Sequence, residues 1–215
     1  MTLGLHDLPL FALTVLVLNA TPGVDLVFTV SRTLQHGLRT GLAGAAGISA
    51  GCVVHALAAA FGLAALLAVS ATAFSVLKGI GAAYLVWLAF GMLRSALAAP
   101  AAPTTEAVAM VPVPLGRVFR QGLLTNVLNP KVALFFLAFL PQFIDADAAH
   151  KTLAFLALGG WFVLQSALFL TALVLLTARL RYLGQGSATP GRWLDGLGGL
   201  LFLGLAARLA RTDLP

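Results

Sequence analysis

Asn19-Ala20-Thr21-Pro22-Gly23-Val24-Asp25 lies inside an apolar run from Leu8 to Val30, and its reading decides the fold. Leu10 to Leu18 read as ordinary lipid-facing helix. Two helix breakers, a hydroxyl, an amide and a carboxylate follow before Leu26-Val27-Phe28 turns apolar again. Pro22 has no N–H and its ring crowds the carbonyl of Leu18, so one helical hydrogen bond is lost. In hydrocarbon an unpaired carbonyl is costly, and such a break persists only where protein or a watery cavity faces it. Asp25 is a short acid that snorkels poorly, which makes it a candidate functional residue at that depth. The plain alternative is a proline kink whose acid reaches for the headgroups.

Composition places that stretch in a bilayer. Of 215 residues, 60% are hydrophobic and 9% charged, with a mean hydropathy of +0.99, whereas soluble domains carry about 25% charged residues. The expected class is an all-α integral membrane protein. At about 20 apolar residues per span, the chain accommodates roughly six transmembrane helices with short loops, one membrane domain over residues 1–215. The net charge of +6 lies between apolar runs, where a cytoplasmic surface would carry it, and is not a nucleic-acid footprint. Cys52 is the single cysteine, so neither a disulfide framework nor a thiol metal site is expected, and no cofactor motif is present. The leader Met1–Asp7 lacks the basic region of a signal peptide, so the first run is expected to stay as a helix.

Five more runs follow. The second, about Gly41 to Val69, carries Gly41, Gly44, Gly47 and Gly51 along one face, a groove that lets helices approach closely. His55 lies near its middle, either as a hydrogen-bonded packing residue or as a proton carrier. The third covers about Phe74 to Leu93. Residues 95–116, with Pro100, Pro103, Pro112 and Pro114, read as a flexible linker between halves 1–94 and 117–215. The fourth run, Arg117 to Phe143, is interrupted by Thr125-Asn126-Val127-Leu128-Asn129-Pro130-Lys131, where Pro130 frees the carbonyl of Asn126. Lys131 is either a substrate ligand or a lysine that snorkels. The fifth, Leu153 to Thr177, has Gln165 and Ser166 as its polar interior, and the sixth is Leu194 to Leu209. Arg32 and Arg39, Arg94, Arg117 and Arg120, and Arg179, Arg181 and Arg192 all fall in loops on one side, which predicts both termini outside.

Runs one to three and four to six each open with a helix broken at Asn…Pro. Three spans per half put the second copy into the membrane from the other side, a 3+3 inverted repeat with helices 1 and 4 broken at proline. Matching breaks of that kind point to a transporter's binding site. The chemistry suits a zwitterion. Half-helix N-termini after Pro22 and Pro130 favour a carboxylate, while the freed carbonyls of Leu18 and Asn126, with Asp25, favour an ammonium. Asp25 and Lys131 are candidates to pair when the site is empty. An integral membrane enzyme using Asp25 and His55, and a passive channel for small zwitterions, are the competing readings; no nucleophile or metal-ligand constellation favours the enzyme.

Thr21-Pro22-Gly23-Val24-Asp25 resembles the Thr-Pro-Gly-Pro-Asp signature of the LysE/RhtB family of amino-acid exporters. Gly51-Cys52-Val53-Val54-His55, Leu77-Lys78-Gly79-Ile80-Gly81-Ala82-Ala83-Tyr84-Leu85, Leu128-Asn129-Pro130-Lys131-Val132-Ala133-Leu134-Phe135-Phe136 and Pro141-Gln142-Phe143 are similar to that family's pattern, in order, over nearly the whole chain. Val24 departs from it, restoring an N–H where the family has a second proline, which softens the break. The resemblance implies export of a neutral, hydrophilic amino acid, homoserine- or threonine-like, across the bacterial inner membrane. It further implies proton-coupled antiport by alternating access. Partners are then the amino acid, protons and the lipid bilayer, with a homo-oligomer left open and no nucleic acid. Asn19, Thr21, Pro22, Gly23, Asn126, Asn129 and Pro130 are expected to form the substrate site, with Lys131 at the carboxylate. Asp25 would bind the ammonium or carry the coupling proton, and His55 would be a relay.

Overall fold

The computed structural model describes residues 3–63, 113–145 and 147–182, with scattered helical positions between 65 and 94. Most of the third run, the sixth run, and the 95–116 linker short of residue 113 lie outside the described residues.

Helices α1 (Leu8–Ala20) and α2 (Val24–His36) flank the first proline. Helix α3 (Leu38–Ala58) runs into a π-helical turn over Ala59–Leu63. Helices α4 (Leu115–Val127) and α5 (Pro130–Leu134) flank the second proline, and α5 continues through a π-helical turn (Phe135–Phe139) and a 3-10 turn (Leu140–Phe143). Helix α6 spans Lys151–Tyr182. Among the described residues the one β feature is an isolated antiparallel bridge between Leu5 and Ile144.

Two unbroken helices, Leu38–Leu63 with 26 residues and Lys151–Leu180 with 30, are long and apolar enough to cross a bilayer. The pair α1–α2, bent by 54°, and the pair Leu115–Val127 with Pro130–Phe143, bent by 48°, each qualify when taken as one span. The described residues therefore hold two to four candidate spans.

Several expected boundaries move. Leu10–Leu18 is not uniformly lipid-facing: Phe11, Val15 and Leu18 are buried while Leu13 and Leu16 are exposed. One face of α1 belongs to the core. Arg32 and Arg39 do not lie in a loop, because α2 continues to His36 and α3 begins at Leu38. Gly37 alone makes the turn, at φ 86° and ψ −174°, a conformation nearly closed to residues with a side chain.

Glycine decides how closely α3 meets α4. A Cβ at Gly47 would fall on the carbonyl of Phe119, and one at Gly122 would lie 2.5 Å from the carbonyl oxygen of Gly44. Backbone thus packs on backbone, which in lipid stands in for the missing hydrophobic drive. At the other end of α3 an aromatic core takes over. Phe11, Phe135, Phe136, Phe139, Phe143, Phe155 and Phe162 are all buried, with Phe136 and Phe162 edge to face at 4.7 Å.

The two ends of the molecule differ. At one, Asp145 N–H donates to Gly4 O at 2.8 Å and His6 lies 3.8 Å from Asp145. At the other, Arg32 donates to Gln121 at 3.1 Å and Gly41 packs against Thr33 and Val174. The first bent pair runs from the Asp145 end toward the Arg32 end, and the second runs back.

Candidate functional site

The two proline interruptions meet: Lys131 of the second caps the first, and His55 of α3 caps the second. Pro22 leaves Leu18 O without its helical donor, and Lys131 Nζ donates to that carbonyl at 2.9 Å and to Thr21 O at 3.1 Å. Pro130 leaves Asn126 O without its donor from residue 130, and His55 Nε2 lies 3.1 Å from it. A carbonyl can only accept, so His55 carries its proton on Nε2 in this contact. Asn129 N–H shares the same oxygen at 2.9 Å.

Asp25 sits in the first turn of α2, reached through Gly23, whose extended backbone starts the helix without a side-chain cap. Its Oδ2 accepts from Asn126 Nδ2 at 2.8 Å and from Asn129 Nδ2 at 3.0 Å. Asn129 also caps α5, its Oδ1 accepting from Lys131 N–H at 3.0 Å. Both asparagines are buried. Among the described residues, Asp25 Oδ1 and Asn126 Oδ1 are buried acceptors without a hydrogen-bond partner. Such atoms are rare in folded proteins and call for a donor.

A cavity of about 20 Å³ opens beside them, walled by Asn19, Thr21, Asp25, Asn126 and Lys131 on its polar side. Leu26, Ile48, Phe162 and Leu170 form much of the apolar side. That volume suits one water molecule. Outside the bend a wider open groove of about 720 Å³ is lined by Pro22, Gly23, Val24, Phe28, Arg32 and Thr125.

The expected site residues therefore separate. Asn19, Thr21, Asp25, Asn126 and Lys131 line the small cavity, and Asn129 stands behind them as a donor to Asp25. Pro22 and Gly23 face the outer groove, and Pro130 is exposed at the start of α5. His55 is half-buried, stacked on Phe136 at 5.8 Å.

Sequence reasoning places Gln165 and Ser166 in the polar interior of the fifth run but not at the site, where α6 supplies a wall. Ser166 is buried and accepts from Asn19 Nδ2 at 3.0 Å, while Gln165 Nε2 donates to Ala12 O at 2.8 Å. The available signal was spacing: Phe162, Ser166 and Leu170 recur every four residues and so share one helix face.

A family model described as LysE type translocator matches residues 16–213. An uncharacterised membrane protein of Pseudomonas aeruginosa is 36% identical over 99% of both chains. The leucine efflux protein of Salmonella typhimurium is 31% identical over 88% of this chain and 87% of its own. The leucine efflux protein of an Enterobacter species is 33% identical over 88% of each. No solved structure matches the chain.

Proposed function

We propose that this chain, which belongs to the LysE type translocator family, is a secondary-active exporter of a neutral amino acid across the bacterial inner membrane. The observation that carries the reading is the meeting of two helix breaks, tied together by Lys131 and by the asparagines on Asp25, around buried, partnerless carboxylate and amide oxygens. An α-ammonium supplies the donors those oxygens lack. The opposite directions of the two bent pairs support an inverted repeat, in which one half rocks against the other.

The cavity is far too small for an amino acid. Loading must therefore separate the walls, which favours alternating access over a passive channel. Proton antiport fits a carboxylate such as Asp25, whose buried Oδ1 can meet either an ammonium or a proton. In this orientation the end bearing Arg32, Arg39, Arg117, Arg120 and Arg179 faces the cytoplasm, and His6 and Asp145 face outward.

On side-chain preference, Leu26, Ile48, Phe162 and Leu170 offer an apolar wall suited to a branched aliphatic substrate, and the named relatives are leucine efflux proteins. This favours a leucine-like substrate. A homoserine- or threonine-like one would instead use the hydroxyls of Thr21 and Ser166. Counterflow of labelled leucine in proteoliposomes, competed by homoserine and threonine and run with and without a pH gradient, separates these readings. Leucine uptake resisted by neither competitor is the expected result. Absence of counterflow with all three would refute the exporter.

A further inference from the structure

Lys131 does not merely sit near the site; it fills a cradle made by the first break. Its Nζ donates to Leu18 O, the carbonyl that Pro22 leaves open, and to Thr21 O one turn on. Gly23 makes room for it, since a Cβ there would lie 3.1 Å from Nζ and 3.6 Å from Cε. The geometry is that of an alkylammonium bound by converging carbonyls, the same chemistry as the amino end of a substrate. Lys131 also walls the cavity of about 20 Å³, so the ammonium and a transported amino acid contend for one space.

We propose that Lys131 is a tethered stand-in for the transported ammonium, filling the carbonyl cradle of Leu18 and Thr21 whenever the carrier is unloaded. This rests on the exporter reading. A substrate entering from the cytoplasmic side displaces Nζ from the cradle, and the freed lysine is then available to the substrate carboxylate. After release Nζ returns. The return matters because the unloaded carrier must pass back through a closed state with no substrate to satisfy those carbonyls. Buried acceptors without donors are costly, and the single water the cavity admits gives weaker hydrogen bonds than a charged ammonium does. A carrier without the stand-in exchanges one amino acid for another but returns empty only slowly.

The test uses the full chain in proteoliposomes under one imposed pH gradient, with labelled leucine as probe. Two rates are compared: counterflow, where both faces hold leucine, and net efflux, where only one does. In Lys131→Ala the ratio of net efflux to counterflow is expected to fall about tenfold, the effect of one or two unsatisfied acceptors. Methylammonium on both faces should restore that ratio in the variant and leave the wild type unchanged. Gly23→Ala, whose Cβ would press on Nζ from 3.1 Å while keeping the charge, should lower the ratio by a smaller amount, so the idea stays exposed if Lys131→Ala fails to fold. Equal loss of both rates, with no rescue by methylammonium, would overturn it. A wild type inactive in both modes would overturn the exporter reading, and this one with it.

Discussion

Replacing Gly51 by alanine probes the link between helix packing and the site. A Cβ there would lie 2.6 Å from Asn126 Oδ1, 2.7 Å from its Cβ and 3.0 Å from its Cγ. Asn126 is fully buried, so its amide cannot swing into solvent. The methyl forces the asparagine to tilt or α4 to retreat, an overpacking cost of about 1–3 kcal/mol. Either movement strains the 2.8 Å bond from Asn126 to Asp25, and a hydrogen bond to a charged group is worth about 1.5–3 kcal/mol. If that bond is what orients Asp25 toward substrate, affinity falls about 10- to 100-fold. Gly47→Ala is the comparison away from the site, because the nearest atoms to its Cβ are backbone, the carbonyl of Phe119 and, at 3.0 Å, the N of Leu123. It should cost more stability, because backbone cannot step aside as a side chain can, with a smaller change in apparent affinity. Gly160→Ala is the control, with nothing within 4 Å; in mid-helix it should gain about 0.5–1 kcal/mol. Thermal unfolding in detergent reads the stability, at about 2–4 °C per kcal/mol for a chain of this size, and concentration-dependent counterflow reads the affinity. Wild-type affinity in Gly51→Ala, or equal affinity losses in Gly51→Ala and Gly47→Ala, would refute the reasoning.

Asp25→Asn should abolish efflux while leaving the protein in the membrane, because a neutral amide cannot balance an ammonium; normal efflux from loaded vesicles would remove Asp25 from the mechanism. Asn129→Ala removes both the cap on Lys131 N–H and one donor to Asp25, about 1 kcal/mol for the first and 1.5–3 kcal/mol for the second. It should lower the unfolding temperature and the apparent affinity together, and a fall in only one would separate the two roles. Gly37→Ala should cost about 1–3 kcal/mol of stability by straining the turn between α2 and α3, with the affinity of the surviving folded fraction unchanged.

What was legible followed from local chemistry. Apolar runs of bilayer length, the missing N–H of Pro22 and Pro130, and the glycines spaced along α3 can all be read without knowing what packs against what. Helix ends were harder. Arg32 looked like a loop residue because polarity rises after Val30, yet Gly37 needs no neighbours to reverse the chain, so α2 and α3 consume the whole segment. The lipid-facing reading of Leu10–Leu18 failed for a related reason. Leu, Val and Phe suit lipid and core equally, and only the neighbouring helices place Phe11 and Val15 inside. The wall from α6 was hidden because Phe162 and Ser166 become polar-site neighbours only when α6 crosses α1.

The same limit explains why the sequence suggests Asp25 and Lys131 as a pair while the structure gives each a further set of partners. A proline break exposes a carbonyl, and a carbonyl attracts a donor as surely as a carboxylate does. At the first break that donor is Lys131, arriving from the second break, and at the second it is His55, arriving from α3. Asp25 is meanwhile held by the two asparagines that bracket the second break. The first break takes its cap from the second, and the two asparagines of the second hold Asp25 of the first, so neither can shift alone without breaking hydrogen bonds to the other. A site built this way is rigid while both caps hold and movable when a small cation offers to replace one of them, which is the property an alternating carrier requires.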